Sequence, residues 1–484
     1  MQPNPFLVDR IWTPQVRSFY RSQFQEMLLM DRAHGMMLVK QGLLDREDYR
    51  TIAAGLDRVE RSLKEEDLDG ELGDLYFNIT RKLYDFVGER TGCLLHVGRS
   101  RNDMVCACCR MQARGALLGL MDRMNGLMEL LLKLAEEHVG TVITYYTYGQ
   151  PSQPGTFGHY LMLVFQLLSR DYVRLQAAYR NANRSPMGAA AGIGTSFPLD
   201  PAYTARLLGF DGVIEHSLDA ISSPDYLLEA EAAVTILMSG MSRLAQDLFS
   251  WASYESQLLD CDDSIASGSS IMPQKKNPEC FEHMRAQSAR AVGMFADAMA
   301  LARNTTLFPN VESTVDLFYD FGPWMEEAEK VLGLLEAGLQ NSRVRRERSY
   351  EYTRDNFTAA STMAETLAQR TGVPFTETHH VIAGMVRRLM EADDLRADAL
   401  TGKLLEEVSE QVLGRPIVMT DEEVRRMADP LLCLEGKVTG GTPKPEDLRA
   451  LLRKGRETLE EQVQWLGRSR RQIEEAYEQL RRGL

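Results

Sequence analysis

The sequence predicts an all-α fold built around unusually long helices, and two observations support this. No proline interrupts the stretches 15–150, 225–272 and 279–308, and proline inside a helix costs about 3 kcal/mol. Within the first stretch, apolar residues recur at steps of three and four, which is typical of one buried helical face. These residues are Leu117, Leu120, Met121, Met124, Leu127, Met128, Leu131 and Leu134.

A third observation concerns the segment from Leu228 to Leu259, which is apolar on more than one side. A helix with that pattern is buried all round and needs neighbours on every side. We therefore expect a central bundle of long helices that is completed by other subunits.

The length of 484 residues predicts more than one domain. We expect an N-terminal helical domain at 1–105, a central long-helix domain at 106–360 and a C-terminal helical domain at 361–484. With 44% hydrophobic and 26% charged residues, the composition is that of a globular protein.

The formal net charge of −14 argues against a nucleic-acid surface, which needs a basic face. The first residues lack a basic segment followed by an apolar run, and no stretch has the apolar length that spans a bilayer. We therefore predict a cytoplasmic protein without membrane or nucleic-acid partners. The seven cysteines fit reduced thiols. Cys106, Cys108 and Cys109 could form a metal site, but without a second ligand pair we expect packing thiols and no metal.

The segment from Gly268 to Pro278 concentrates hydroxyl, ammonium and amide groups in one loop between two helical patterns. A serine becomes a base only where its alkoxide is stabilised, and lysines with free loop N–H groups supply that stabilisation. Such a loop would suit chemistry on a carboxylate. The alternative is a solvated basic turn without a catalytic role.

The same loop resembles the signature of the fumarase/aspartase superfamily, and further motifs narrow the resemblance to its argininosuccinate lyase branch. They follow the family's order over nearly the whole chain and are His96–Asp103, Ser185–Gly188, Gly194–Pro198, His216–Ala220 and Gly440–Pro443. The resemblance implies elimination from a succinyl group to leave fumarate, without a cofactor. It also implies a homotetramer in which three chains contribute to each active site.

The resemblance carries roles onto matching residues of the loop. Ser270 would be the base that removes a proton from the carbon beside a carboxylate, while Lys276 and Asn277 would hold the resulting aci-carboxylate. Met272 and Gln274 would shape the loop, and the cluster of Gly268, Ser269 and Ser270 would let it close over bound substrate. We expect Ser269 and Met272 to contact the substrate.

A second group of matching residues is Ser100, Arg101 and Asn102, which would bind the succinyl carboxylates. These residues also read as a helix start, with Ser100 as the cap and Asp103 on the dipole. The two interpretations are compatible, because a helix start is itself an anion site.

The chain departs from the family near the leaving nitrogen. Thr147 and Gln150 match a family stretch, but Tyr148 replaces its histidine, whose partner glutamate matches Glu282. Tyrosine titrates near pH ~10 and histidine near ~6.5, so Tyr148 is either a proton donor to the amine or a packing residue. Tyr76 likewise replaces a second histidine. We expect Thr147, Tyr148 and Glu282 to be catalytic residues, and Gln150 and Tyr76 to bind the substrate.

The segment that holds the far end of the substrate in the family also differs. Its nearest equivalent, 309–316, lacks the family's lysine and glutamine. We therefore predict a carbon–nitrogen lyase that reversibly splits an N-substituted aspartate into fumarate and an altered amine or guanidine. The alternatives are argininosuccinate lyase proper and a catalytically silent structural paralogue.

Overall fold

A computed structural model describes residues 3–483 and confirms the all-α class. Within that range the α-helices are α1 (Pro5–Leu7), α2 (Thr13–Lys40), α3 (Arg46–Ser62), α4 (Leu75–Val87), α5 (Glu89–Gly92), α6 (Arg101–Glu137), α7 (Phe157–Ala182), α8 (Pro201–Leu207), α9 (Ser217–Ser222), α10 (Asp225–Trp251), α11 (Glu279–Arg303), α12 (Leu317–Gln340), α13 (Arg346–Asp355), α14 (Ala360–Thr371), α15 (Phe375–Glu391), α16 (Gly402–Leu413), α17 (Asp421–Ala428), α18 (Pro430–Glu435) and α19 (Pro445–Arg482).

The strands form two small antiparallel pairs. The first pairs β1 (Val142–Thr147) with β2 (Gln150–Thr156), and the second pairs β3 (Leu259–Cys261) with β4 (Ser342–Val344). Short 3₁₀ and π segments connect the helices at Val8–Trp12, Glu65–Asp67, Gly70–Leu72, Cys93–His96, Asp263–Ile265, Glu312–Asp316 and Ala397–Ala399.

The central bundle consists of α6, α7, α10, α11 and α12, which pack along one another. Helix α7 returns along α6 after the β1–β2 hairpin, and the amide of Gly158 donates to the carbonyl of His138 at 3.1 Å. Glycine is required at 158, since a Cβ there would lie 2.4 Å from the carbonyl oxygen of Ala135. The close approach locks the start of α7 against the end of α6.

The predicted apolar repeat from Leu117 to Leu134 is confirmed. Helix α6 buries every position of that repeat except Leu134, which is partly buried. Cys108 and Cys109 are buried on the same helix and serve as packing thiols. Cys106 is partly buried.

The predicted extent of the segment from Leu228 to Leu259 is wrong at its C-terminal end. Helix α10 stops at Trp251, and the amide of Leu258 turns back to donate to the carbonyl of Trp251 at 3.0 Å. Gln257 adopts φ +52, which no helix accommodates. Leu259 therefore belongs to β3. Within one chain most of α10 is covered, while Ile236 stays 48% exposed.

The C-terminal part of the chain divides between two cores. Residues between Ala359 and Cys433 form their own apolar cluster. Helix α19 instead returns to the central bundle, where Leu448, Leu466 and Leu480 join the main core. The domain boundaries at about 105 and 360 stay predictions.

Within residues 3–483, none of the helices combines the length and the apolar character needed to cross a membrane.

Candidate active site

The long helix α6 separates two ends of the bundle. At a rise of about 1.5 Å per residue, its 37 residues span roughly 55 Å. Arg101 and Asn102 begin the helix, and the β1–β2 hairpin follows its other end. One chain therefore holds two of the three predicted segments at opposite ends.

The hairpin presents Thr147, Tyr148 and Gln150 at its tip. Thr147 pairs with Gln150, and the two residues between them turn the chain with φ 53 at Tyr148 and φ 75 at Gly149. This left-handed pair is the geometry of a tight hairpin turn. The side chain of Tyr148 is fully exposed, so within its own chain it is not a packing residue.

The loop 268–278 lies at the hairpin end of the bundle as well. Trp251, at the end of α10, packs on Tyr160 near the start of α7 with ring centroids 4.8 Å apart. Strand β3 then pairs with β4, and the next helix, α13, reaches β1 through Ser349 Oγ, which donates to the carbonyl of Val142 at 2.8 Å. Ser270 is thus placed far from Arg101 of the same chain.

A short bridge closes the base of this loop. The amides and carbonyls of Ser267 and Asn277 exchange hydrogen bonds at 2.8 and 3.1 Å, and Asn277 Nδ2 donates to Ser267 Oγ at 3.2 Å. Ser269 Oγ accepts from the amide of Met272 at 3.1 Å, while Ser270 is exposed. The loop is a flap that is tied at its base and free at Ser270.

Lys276 is engaged by carboxylates of its own chain. Its Nζ lies 2.9 Å from Asp263 Oδ1 and 3.8 Å from Asp260 Oδ1. The hydrogen bond to Asp263 raises the pKa of Lys276, so the side chain is a cation. A carboxylate of a substrate would have to compete with Asp263 for it.

Glu282 lies in the first turn of α11 and is exposed. Its carboxylate is 3.9 Å from Arg285 Nη2. It lies one turn beyond the flap and contacts neither Thr147 nor Tyr148 of its own chain in any hydrogen bond of the described residues.

At the opposite end, the start of α6 is built around Ser100 and Asp103. Ser100 Oγ accepts from the amide of Asn102 at 3.2 Å, and Asp103 accepts from the amide of Ser100 at 3.0 Å. The predicted helix cap is confirmed as a reciprocal capping box. It fixes the backbone from which Arg101 and Asn102 project.

Asp103 also ties this helix start to the motif that begins at Ser185. Its second oxygen accepts from the amides of Gly188 and Ala190 at 3.3 and 3.0 Å. Burial raises the pKa of Asp103 to about 6, against the opposing effect of these hydrogen bonds. A single carboxylate therefore holds two of the motif segments together.

Arg101 and Asn102 open into a cavity of about 170 Å³. Arg101 Nη1 lies 3.2 Å from Asp74 Oδ2. The cavity also contains part of the segment predicted to hold the far end of the substrate. Its lining is Ile11, Trp12, Gln15, Val16, Phe19, Gly73, Asp74, Arg101, Asn102, Val105, Cys106, Ile221, Pro309, Val311 and Val315.

Tyr76 lies beside this region but is buried and does not line the cavity. Its hydroxyl is 2.7 Å from His96 Nδ1, and its ring lies under the guanidinium of Arg99. Arg99 is fixed in turn by a buried ion pair with Asp31 at 2.6 Å. The tyrosine at the position of the family's second histidine is thus part of a buried polar network.

Sequence reasoning missed most of the other residues that line the cavity, among them Trp12, Gln15 and Asp74. Gln15 Nε2 donates to Asp316 Oδ1 at 2.9 Å across a separation of 301 residues. No local pattern marks such a contact. Asp74 had one signal, since it lies two residues before Tyr76. It caps α4 by accepting from the amide of Tyr76 at 2.7 Å.

The chain resembles known proteins over almost its full length. A protein family described as Lyase matches residues 11–293, and one described as Argininosuccinate lyase C-terminal matches residues 357–435. Argininosuccinate lyase of Methanosarcina barkeri is 36% identical over 463 residues, which cover 94% of this chain and 92% of that protein. The enzyme of Thermus thermophilus is 36% identical over 454 residues, covering 91% and 94%.

Solved structures are also similar to this chain. A variant of EDDS lyase with bound fumarate has a TM-score of 0.87 at 26% identity, covering 99% of this chain and 97% of that one. A class II fumarase from Schistosoma mansoni shares the fold, with a TM-score of 0.69 at 14% identity over 86% and 90% of the two chains. The chain belongs to the argininosuccinate lyase family of the fumarase/aspartase superfamily.

Proposed function

We propose that the protein reversibly eliminates an amine or guanidine from an N-substituted L-aspartate to give fumarate, with an amine pocket that differs from that of argininosuccinate lyases. As a member of this family the chain is a fumarate-forming carbon–nitrogen lyase. The proposal concerns which amine leaves and which residues act.

One observation carries the proposal: Arg101 and Asn102 share a cavity with Val311 and Val315. The first pair offers a guanidinium and an amide to a carboxylate. The second pair comes from the segment that lacks the family's lysine and glutamine. An apolar wall gains little from the ammonium and carboxylate of an amino acid, whereas it favours a small apolar or aromatic amine.

The chemistry assigned to the flap fits its geometry. Ser270 is exposed at the free part of the flap, from which it can reach a substrate held by another subunit. Lys276 would exchange Asp263 for the aci-carboxylate that forms when Ser270 removes the proton, with Asn277 as a further donor. Ser269 supports this step by bonding the amide of Met272.

Tyr148 is the proposed proton donor to the leaving nitrogen. It stands at the hairpin tip, flanked by Thr147 and Gln150, where its hydroxyl can enter a site of a neighbouring subunit. Glu282, which lies on α11 one turn beyond the flap, would assist Tyr148 at the same substrate. A phenol donates a proton to a departing amine without having to be a base at neutral pH.

The separation of these segments supports a homotetramer with shared active sites. Helix α11 adds to this support, because Val292 is 54% and Met299 45% exposed on it within one chain. A bundle helix with such side chains gains stability when another subunit covers it. We place the reaction in the cytoplasm, in keeping with seven free cysteines.

The test is consumption of fumarate in the presence of single amines, followed by the ultraviolet absorbance of fumarate. Wild-type protein should consume fumarate with at least one apolar or aromatic amine, and Ser270→Ala should not. Glu255→Gln, a change of another exposed side chain, is the matched control and should behave as wild type. Equal rates in wild type and Ser270→Ala would refute the proposal.

A further inference from the structure

A second cavity, of about 590 Å³, lies beneath the base of the β1–β2 hairpin. It is formed by β1, the first turns of α7, the end of α10, and the start of α19 with the turn before it. None of the residues assigned to catalysis above lines it. Its lining is Thr144, Tyr145, Tyr146, His159, Tyr160, Met162, Leu163, Gln166, Asp247, Trp251, Gly441 and Leu451.

Aromatic rings dominate this cavity. Tyr145 and Tyr146 come from the strand, Tyr160 from α7 and Trp251 from α10. The rings of Tyr160 and Trp251 meet edge to face, with centroids 4.8 Å apart and planes at 61°. The face of an aromatic ring attracts a cation that lies within about 6 Å of its centroid.

The cavity also contains a carboxylate. The hydroxyl of Tyr160 donates to Asp247 Oδ2 at 2.7 Å, which engages one of the two carboxylate oxygens. Burial and the charge of Asp247 raise the pKa of Tyr160, so the hydroxyl keeps its proton and donates it to the carboxylate. Arg243 stands one turn earlier on α10 and does not line the cavity.

His159 completes the polar lining, and both of its ring nitrogens have hydrogen-bond partners. Its Nε2 lies 3.0 Å from the carbonyl oxygen of Gly441, which can only accept, and its Nδ1 lies 2.7 Å from the hydroxyl of Tyr145. Nε2 therefore carries a proton and donates it to the carbonyl oxygen. Among the residues that line the cavity, Asp247 is the one carboxylate, and none is a lysine or an arginine.

We propose that this cavity is a binding site for an organic ammonium ion, which Asp247 pairs with and the rings of Tyr145, Tyr160 and Trp251 surround. Aromatic faces with one carboxylate match the charge and the apolar substituents of such a cation. The site is separate from the proposed catalytic residues, so it goes beyond the lyase reaction. Its occupant contacts the strand that leads to Tyr148.

The test uses isothermal titration calorimetry with wild-type protein at constant ionic strength. The probes are choline and 3,3-dimethylbutan-1-ol, which have similar shape and differ in the charged nitrogen. We expect choline to bind at least about tenfold more tightly than the alcohol. Equal binding of both probes, or no binding of choline at ~10 mM, would overturn the proposal.

Variants of the lining residues test whether choline binds in this cavity. Asp247→Asn retains an oxygen for the hydroxyl of Tyr160 and should weaken choline binding at least about tenfold, since the ion pair is lost. Asp85→Asn, which removes an exposed carboxylate on α4, should bind as wild type. Trp251→Phe keeps an aromatic ring and should weaken binding severalfold. Wild-type affinity in both Asp247→Asn and Trp251→Phe would show that choline binds elsewhere.

Discussion

Mixing two inactive variants tests whether one active site draws on several chains. Arg101 and the flap with Ser270 lie at opposite ends of α6, roughly 55 Å apart along its 37 residues. Arg101→Ala and Ser270→Ala should each be inactive alone. In tetramers reassembled from equal amounts, a site works when one chain supplies an intact Arg101 and another an intact Ser270. Random assembly gives about a quarter of wild-type activity.

The control pair is Ser270→Ala with Lys276→Ala, whose changes lie on the same flap. Every flap in such a mixture carries one change, so activity should stay near zero. The assay is fumarate absorbance after joint unfolding and refolding, with the oligomeric mass checked by light scattering. If Arg101→Ala and Ser270→Ala form mixed oligomers but activity does not return, the inference that one active site takes Arg101 and Ser270 from different chains is wrong.

Three further outcomes are expected. Ser270→Ala should abolish turnover and leave the thermal unfolding midpoint unchanged, because Ser270 is exposed on a loop; a near-normal kcat would remove it from the role of base. Lys276→Ala should lower kcat by at least about 100-fold, whereas a change confined to KM would restrict Lys276 to binding. The folded pKa of Asp103, about 6, exceeds its unfolded value. This group therefore favours folding as the pH falls from about 6 to about 4, by up to about 3 kcal/mol. Asp103→Asn should reduce that gain in denaturant titrations, and an unchanged pH dependence would contradict the assignment.

The helices were predictable where periodicity and cap residues agree. The apolar face of α6 repeats over several turns, and Ser100 with Asp103 marks its start, so both the element and its first residue follow from the sequence. The end of α10 could not be predicted in this way. Leu258 and Leu259 continue an apolar pattern, while the backbone turns at Gln257. A pattern of hydrophobicity carries no direct information on such a turn.

The hairpin was missed for a related reason. Its strand residues, Thr144 to Thr147, favour β structure, and Tyr148 with Gly149 forms the turn, but an all-α interpretation leaves such a short element unassigned. The residues that share the cavity with Arg101 could not be predicted for a different reason. Asp74 and Gln15 act through contacts between distant parts of the chain, which one sequence does not reveal.

The most direct test of the altered amine pocket is a steady-state comparison of kcat/KM for argininosuccinate and for N-substituted aspartates with apolar or aromatic amine portions. Val311 and Val315 face the cavity where a charged far end would need partners. We predict that kcat/KM is at least about tenfold higher for one of the apolar or aromatic substrates. If argininosuccinate is the best substrate, the protein is an argininosuccinate lyase proper and the apolar wall does not determine its specificity.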